Sequence, residues 1–365
     1  MYRVLFMPLL QIPSGHHHVA DCIKEELEQF SGVFQCEKVE ILSYCYGKAE
    51  TLISIVYLQW IHKLPHLYSK VYKKSAVKNA KTNRLILTYK WLFYKKILHL
   101  LRQVNPDIIL CTHALPSHIL NCLKSEKLWS GKVINVYTDY FINNLWGIDQ
   151  IDYHFVPSQR VKQELIHKGV KEQQIFISGI PIHPVFKKAK PSIKKSKPVI
   201  LISGGNLGIG SISQLLHRLI PSGTIQYKVL CGKNQILFDY LTKLNHPHIL
   251  PIPYIDSKEE MNSFYEKADA ILTKPGGVTV AECLWKRLPI FVYEVLPGQE
   301  EYNLEYLKEQ GLVFHLDNWS SSMNIEKIVI HYLQNKLVHF YKSVDSFNQT
   351  LEDHNTSNII RNFIV

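Results

Sequence analysis

Between Thr51 and Pro106 the chain carries no aspartate and no glutamate. A solvated face normally mixes both signs of charge, so this stretch is not read as ordinary surface alone. No apolar run reaches the ~18 residues of a membrane-spanning helix. The first ten residues, MYRVLFMPLL, read as a buried strand. They lack the long apolar core and small-residue cleavage site of a signal peptide. The seven cysteines are scattered and odd in number, with no C-x-x-C pair. That excludes a disulfide framework and a zinc cluster of the common kinds, and fits a reducing cytoplasm. There is no internal repeat and no paired-aspartate metal motif.

What is present starts with length and charge. The 365 residues suggest two domains, each able to bury its own core. The net charge of +11 favours an anionic partner, whether membrane lipid, nucleic acid or a phosphorylated substrate. The acid-free stretch interleaves Lys73, Lys74, Lys95 and Lys96 with aromatics such as Trp60 and Trp91, mostly at helical spacing. An interfacial helix that lays rings into a headgroup layer and pairs lysines with anionic lipid has this composition. Nucleic acid would be served by it too, and so would core aromatics beneath a solvated basic face.

The most informative run is Ile271 to Asn303, ILTKPGGVTVAECLWKRLPIFVYEVLPGQEEYN. It reads strand, Gly-Gly turn, helix from Thr279 to Lys286, then strand. Gly276 and Gly277 let backbone N–H groups approach a ligand, and a helix start suits a phosphate. Glu282, one turn further in, can accept from a ribose diol. The loop Pro297-Gly298-Gln299-Glu300 carries an amide and a carboxylate for sugar hydroxyls. Phosphate, ribose and polyol binders in this order suggest a nucleotide-sugar site. Upstream, Val199 to Ile202 reads as a strand and leads into Gly204-Gly205-Asn206, a second glycine loop.

In the first half, Val4 to Leu10 and Val39 to Leu42 read as strands. Helical spacing runs from His18 to Phe30, after Ser14-Gly15-His16-His17-His18. Three adjacent histidines can be metal ligands, contain a general base, or be filler; neighbouring helical side chains diverge, which disfavours one shared metal. Asp139 follows the strand Val133–Val136, at a strand end that borders the ligand crevice in doubly wound sheets. A helix cap or an ion pair is the competing account.

The run PGG-x-T-x-x-E, a strand, then PGQE-x-x-N resembles the donor half of GT-B glycosyltransferases. It is most similar to the monogalactosyldiacylglycerol synthases and the bacterial processive diacylglycerol glucosyltransferases. The peptidoglycan N-acetylglucosaminyltransferase shares a looser version. The resemblance implies an α/β fold of two Rossmann-like doubly wound domains facing a central cleft. It implies Gly276, Gly277 and Thr279 at the donor diphosphate, Glu282 on the ribose, and Gln299 and Glu300 on the sugar. Gly205 and Asn206 would close over the donor. Those families carry Gly-His at the end of the first loop, matched by Gly15-His16, which implies His16 as general base. Fewer glycines precede it, with Pro13-Ser14 instead. They also carry Thr-Asp, matched by Thr138-Asp139, then a His and a Trp; Trp146 matches, whereas Asn143 holds the His position.

The expected organisation is an acceptor and membrane-binding domain over 1–186, a basic linker over 187–198, a donor domain over 199–345, and a C-terminal helix over 346–365 packing back on the first domain. The expected function is inverting transfer of a hexose from a UDP-sugar to a membrane lipid such as diacylglycerol. No metal and no cofactor beyond the UDP-sugar substrate are expected, and no nucleic acid. The enzyme would be cytoplasmic and peripheral on the inner face of the cell membrane. The alternatives are transfer to a non-lipid acceptor, an epimerase on the same scaffold, or a non-catalytic basic adaptor for membrane or nucleic acid.

Overall fold

The computed structural model of the chain describes residues 1–9, 14–47, 50, 84–186, 197–205, 212–219, 222–317, 319, 324–352 and 356–364. Trp60, Lys73, Lys74, Asn206 and the linker segment 187–196 lie outside the described residues. The chain separates into two compact units: Met1–Ile182 with Pro297–Gln299 and Thr350–Val365, and His183–Leu296 with Glu300–Gln349. Residues 183–186 thus fall with the second unit, where the Phe186 ring lies 5.8 Å from that of Tyr265.

The first unit is built on six parallel strands: β1 (Tyr2–Phe6), β2 (Phe34–Lys38), β3 (Ile108–Cys111), β4 (Lys132–Val136), β5 (Tyr153–Val156) and β6 (Ile175–Ile177). Their order is β2-β1-β3-β4-β5-β6. Every residue of β3 and four of the five in β4 are buried. Their apolar runs do not alternate because helices cover both faces of a parallel sheet. Among those helices, α1 (Gly15–Glu28) buries Val19, Ile23 and Leu27, the stripe its sequence spacing predicts. The second helix, α2, spans Ile41–Tyr46, α3 Arg84–Val104, α4 Ala114–Ser125 and α5 Gln159–His167.

Two expectations are corrected here. The second strand is Phe34–Lys38, not Val39 to Leu42. It is an edge strand whose FQCEK sequence is largely solvated, so it lacks an apolar run to read. Ile41, Leu42 and Cys45 instead bury one face of α2. The first helix starts at Gly15 rather than His18, with Ser14 in extended conformation before it. His16 therefore sits in the first helical turn.

The second unit has strands β7 (Val199–Ser203), β8 (Gln226–Leu230), β9 (Ile249–Ile252), β10 (Ala270–Thr273), β11 (Ile290–Val292) and β12 (Phe314–His315), again all parallel. Their order is β12-β11-β10-β7-β8-β9. Its helices are α6 (Ile212–Leu219), α7 (Gln235–Leu244), α8 (Lys258–Lys267), α9 (Gly277–Trp285), α10 (Gln299–Glu309), α11 (Ile325–Asn335) and α12 (Leu337–Gln349). The last helix, α13 (Thr356–Ile364), belongs to the first unit and packs on α1, where the Ser357 N–H donates to Glu26 Oε2 at 3.3 Å.

Both orders reverse direction once, between β1 and β3 in the first unit and between β7 and β10 in the second. At such a reversal the loops leaving the strands' carboxyl ends part and leave a crevice. His16 follows β1 and His113 follows β3; Gly205 follows β7 and Gly276 follows β10.

Candidate active site

In the first unit, three strand ends converge on His16. Its Nδ1 lies 2.6 Å from the Thr112 carbonyl oxygen after β3 and 2.9 Å from Thr138 Oγ1 after β4. A carbonyl can only accept, so Nδ1 carries the hydrogen and Nε2 keeps its lone pair. Burial holds the imidazole below its ordinary pKa; the charge of Asp139 and the bond to Thr112 act against that, and His17 adds to it. His16 is thus a neutral base with one fixed free lone pair. His17 is buried and faces Glu40 at 3.9 Å, while His18 is exposed, so the three rings go separate ways. Among the described residues no group of three or more His, Cys, Asp or Glu side chains is gathered as metal ligands.

A small cavity of about 20 Å³ is lined by His16, His113, Thr138, Asp139, Asn143 and Trp146. That is room for one water-sized group. Asn143 is buried, and its Oδ1 accepts the Leu145 N–H at 3.0 Å. Trp146 packs on Tyr137 with ring centroids 4.5 Å apart. Beneath them, Asn135 Nδ2 lies 3.3 Å from the Tyr137 hydroxyl, which lies 3.0 Å from His154 Nδ1.

In the second unit the site is mostly backbone. Gly276 precedes α9 with φ −74°, a conformation open to any residue, and a Cβ there would meet nothing within 4 Å. Neither backbone nor packing requires glycine, and the space beside it is open to a ligand. The helix start has no side-chain cap, so its first N–H groups are available to an anion. The helix begins at Gly277, earlier than the Thr279 of the sequence reading, so Thr279 is in its first turn. Gly205, after β7, has φ +80° and does require glycine. Lys274, at the head of the Gly-Gly loop, is buried and has no hydrogen-bond or ion-pair partner among the described residues.

Glu282 is half-buried and accepts the Tyr265 hydroxyl at 2.8 Å. Burial pushes its carboxyl up to about 7, against the opposing pull of Tyr265 and Lys258. Gln299 and Glu300 open α10 instead of lying in a loop, and Gln299 falls with the first unit. Glu300 accepts the Leu296 N–H at 2.7 Å, closing the turn before its helix. Asn303, fully buried, donates to the Pro275 carbonyl at 3.1 Å and so pins the Gly-Gly loop.

On α3, Trp91 is 81 % exposed and Lys95, one turn on, is exposed. Lys96 turns back to the Cys45 carbonyl and over the Tyr46 ring at 3.9 Å. Lys90 pairs with Glu126 at 2.6 Å. Among the described residues no helix is long and apolar enough to cross a membrane. Sequence reasoning gave no role to Thr112, His113, Tyr265 or Lys274. Their signal is their place at strand ends and against Glu282, which needs the sheet order.

Two parallel Rossmann-like sheets, each with a crevice at its switch point, make up the GT-B architecture. The solved structure of Acinetobacter baumannii MurG superimposes with TM-score 0.64 over 99% of both chains at 13% identity. The monogalactosyldiacylglycerol (MGDG) synthase family model matches residues 16–182. The uncharacterized glycosyltransferase YkoN of Bacillus subtilis is 43% identical over 367 residues, spanning 100% of this chain and 98% of that protein. The chain belongs to the same glycosyltransferase family as YkoN. It is also related to the processive diacylglycerol beta-glucosyltransferase of Bacillus pumilus, 26% identical over 320 residues, 82% of this chain and 79% of that protein.

Proposed function

We propose that this glycosyltransferase moves a hexose from a UDP-sugar to the hydroxyl of a membrane lipid such as diacylglycerol, with inversion at the anomeric carbon. The observation that carries the chemistry is His16, whose Nδ1–H is held by Thr112 and Thr138 while Nε2 stays free. Nε2 takes the acceptor hydroxyl's proton as the oxygen attacks the anomeric carbon. Asp139, whose charge raises the His16 pKa, stabilises the imidazolium that results. The bond from the anomeric carbon to the diphosphate breaks, and the leaving charge is met by the uncapped N–H groups at Gly277 and by Lys274. Glu282 accepts from the ribose, and Gln299 and Glu300 face the sugar hydroxyls. No protein-bound metal takes part in this scheme.

The lipid acceptor is supported by the relatives and by α3, where Trp91 and Lys95 offer an aromatic ring and a cation one turn apart to an anionic surface. The test is turnover of a panel of UDP-sugars on anionic vesicles containing diacylglycerol, beside His16→Ala. UDP release that needs lipid and collapses in the variant supports the reading. Release without lipid transfers it to a soluble acceptor. Absence of turnover and of UDP-sugar binding under all conditions leaves a non-catalytic adaptor.

A further inference from the structure

His113 faces the same cavity as His16, and the hydrogen bonds around the two rings give them opposite characters. His113 is the residue before α4, and its Nδ1 accepts the Leu115 N–H at 3.2 Å. An accepting nitrogen carries no hydrogen, so the hydrogen of the neutral ring is on Nε2. Burial keeps this imidazole well below its ordinary pKa, and neighbouring His16 pushes the same way. Among the described residues, nothing accepts from that Nε2–H. At His16 the pattern is reversed: Nδ1–H is occupied by Thr112 and Thr138, and Nε2 is the open acceptor. The two rings meet edge to face with centroids 5.0 Å apart, and both line the cavity of about 20 Å³.

We propose that His113 is a hydrogen-bond donor to the acceptor hydroxyl, so that one hydroxyl is held between two histidines of opposite tautomer. This rests on the reading of His16 as general base. The hydroxyl gives its proton toward His16 Nε2 and accepts from His113 Nε2–H through one lone pair. The other lone pair remains for the anomeric carbon. As the new C–O bond forms, the bond to the diphosphate oxygen breaks and the proton passes to His16. His113 stays neutral throughout, because its Nδ1 remains bound to the Leu115 N–H. A hydroxyl fixed at both its hydrogen and one lone pair has a defined direction of attack, which is the entropic part of catalysis. The arrangement also selects for a hydroxyl. An ammonium has no lone pair for the His113 hydrogen, and an ether has no proton for His16.

Two substitutions separate this from a helix-capping role. His113→Asn keeps an oxygen able to cap α4 but is too short to supply the Nε2–H. His113→Gln places an amide N–H near the Nε2 position while giving a poorer cap. The expected result is that His113→Asn keeps the wild-type unfolding temperature and UDP affinity. It loses about 100-fold in kcat/KM for transfer on diacylglycerol vesicles. His113→Gln regains a substantial part of that loss. The reverse ranking, Asn active and Gln impaired, overturns the proposal in favour of a capping residue. Transfer lost in His16→Ala but intact in His113→Asn also overturns it while leaving the base reading in place. Transfer that survives His16→Ala removes both.

A second measurement needs no acceptor. Long-range 1H–15N spectra of the histidine-labelled full chain, assigned with the two Gln variants, report each ring's tautomer. Nδ1–H on His16 and Nε2–H on His113 are expected; the same tautomer on both overturns the proposal.

Discussion

The two units solve the same topological problem with different materials. Each opens a crevice where its sheet order reverses, and each sets its functional groups on the loops that leave the strands there. The first unit fills that crevice with side chains: His16, His113, Thr138 and Asp139 around one small cavity. The second lines it with backbone, Gly205 and the Gly276–Gly277 helix start, and adds Lys274 and Glu282 at the margins. On the proposed reading, the difference follows from the task. A diphosphate spreads charge over several oxygens and is met well by many N–H groups that need no titration. A hydroxyl that must lose a proton needs one group whose protonation changes, placed to within a hydrogen bond.

The largest expected effect breaks the comparison on its chemical side. His16→Ala should lower transfer kcat by about 100- to 10,000-fold, the usual worth of a positioned base, while UDP affinity stays unchanged. In the wild type, kcat/KM should rise with pH as His16 gives up its proton, with a midpoint below the ordinary histidine value because burial lowers it. Asp139→Asn should move that midpoint further down, since the Asp139 charge raises the His16 pKa. A midpoint moving upward would show that Asp139 does not stabilise the imidazolium.

Gly276→Val tests the backbone side. A Cβ at Gly276 meets nothing within 4 Å and its φ suits any residue, so the variant should fold, with an unfolding temperature lowered only by the poorer helix start that valine gives. Donor affinity should nevertheless fall about 10- to 100-fold, the loss of one charge-assisted hydrogen bond or its approach distance. Calorimetric titration with UDP reads this directly. Wild-type affinity in Gly276→Val would show that the glycine serves nothing at the diphosphate.

The contrast also explains what could be read in the chain alone. Backbone sites leave a local record. Gly276, Gly277 and Glu282 belong to one strand–turn–helix run, and their spacing carries the local fold and the ligand class proposed for it. Side-chain sites built from several strands do not. His16 and Asp139 are separated by most of the first unit, and only the resemblance joined them. His113 and Thr112 become partners of His16 because β3 lies beside β1, an order that no local pattern encodes. Edge strand β2 was misplaced because a half-solvated strand lacks the apolar run of its neighbours. Gln299 and Glu300, read as a loop, open a helix because Gly298, at φ +100°, allows the sharp entry and Glu300 closes the turn on Leu296.

Acid should act on the first unit through the histidine under its cavity. Burial drives the His154 pKa down to about 3 from an ordinary 6.5. Between those values the unfolded chain binds the proton and the folded unit does not. The stabilisation is therefore complete above the unfolded value and is lost as pH falls from it. At one unit below 6.5 the loss from this residue is about 1.4 kcal/mol. His154→Gln should flatten part of the fall in unfolding free energy seen in denaturant titrations between neutral and mildly acid pH. An unchanged slope would mean that His154 takes no share in it.

The smallest effect falls on the second unit and has the opposite character, because there pH acts on binding. Glu282 is pushed up to about 7 by burial, and Tyr265 holds it down by donating its hydroxyl at 2.8 Å. A ribose diol donates best to the ionised carboxylate, so donor affinity should increase as pH rises through about 7. Tyr265→Phe removes the hydrogen bond that favours ionisation. The carboxyl then titrates higher still, and at neutral pH donor affinity should drop about 2- to 10-fold, the worth of one hydrogen bond. Raising the pH should restore part of that loss in Tyr265→Phe, whereas Glu282→Gln should bind weakly and without the pH dependence. A drop in Tyr265→Phe that no pH restores would mean that the Tyr265 hydroxyl acts by orienting the Glu282 carboxylate rather than through its charge.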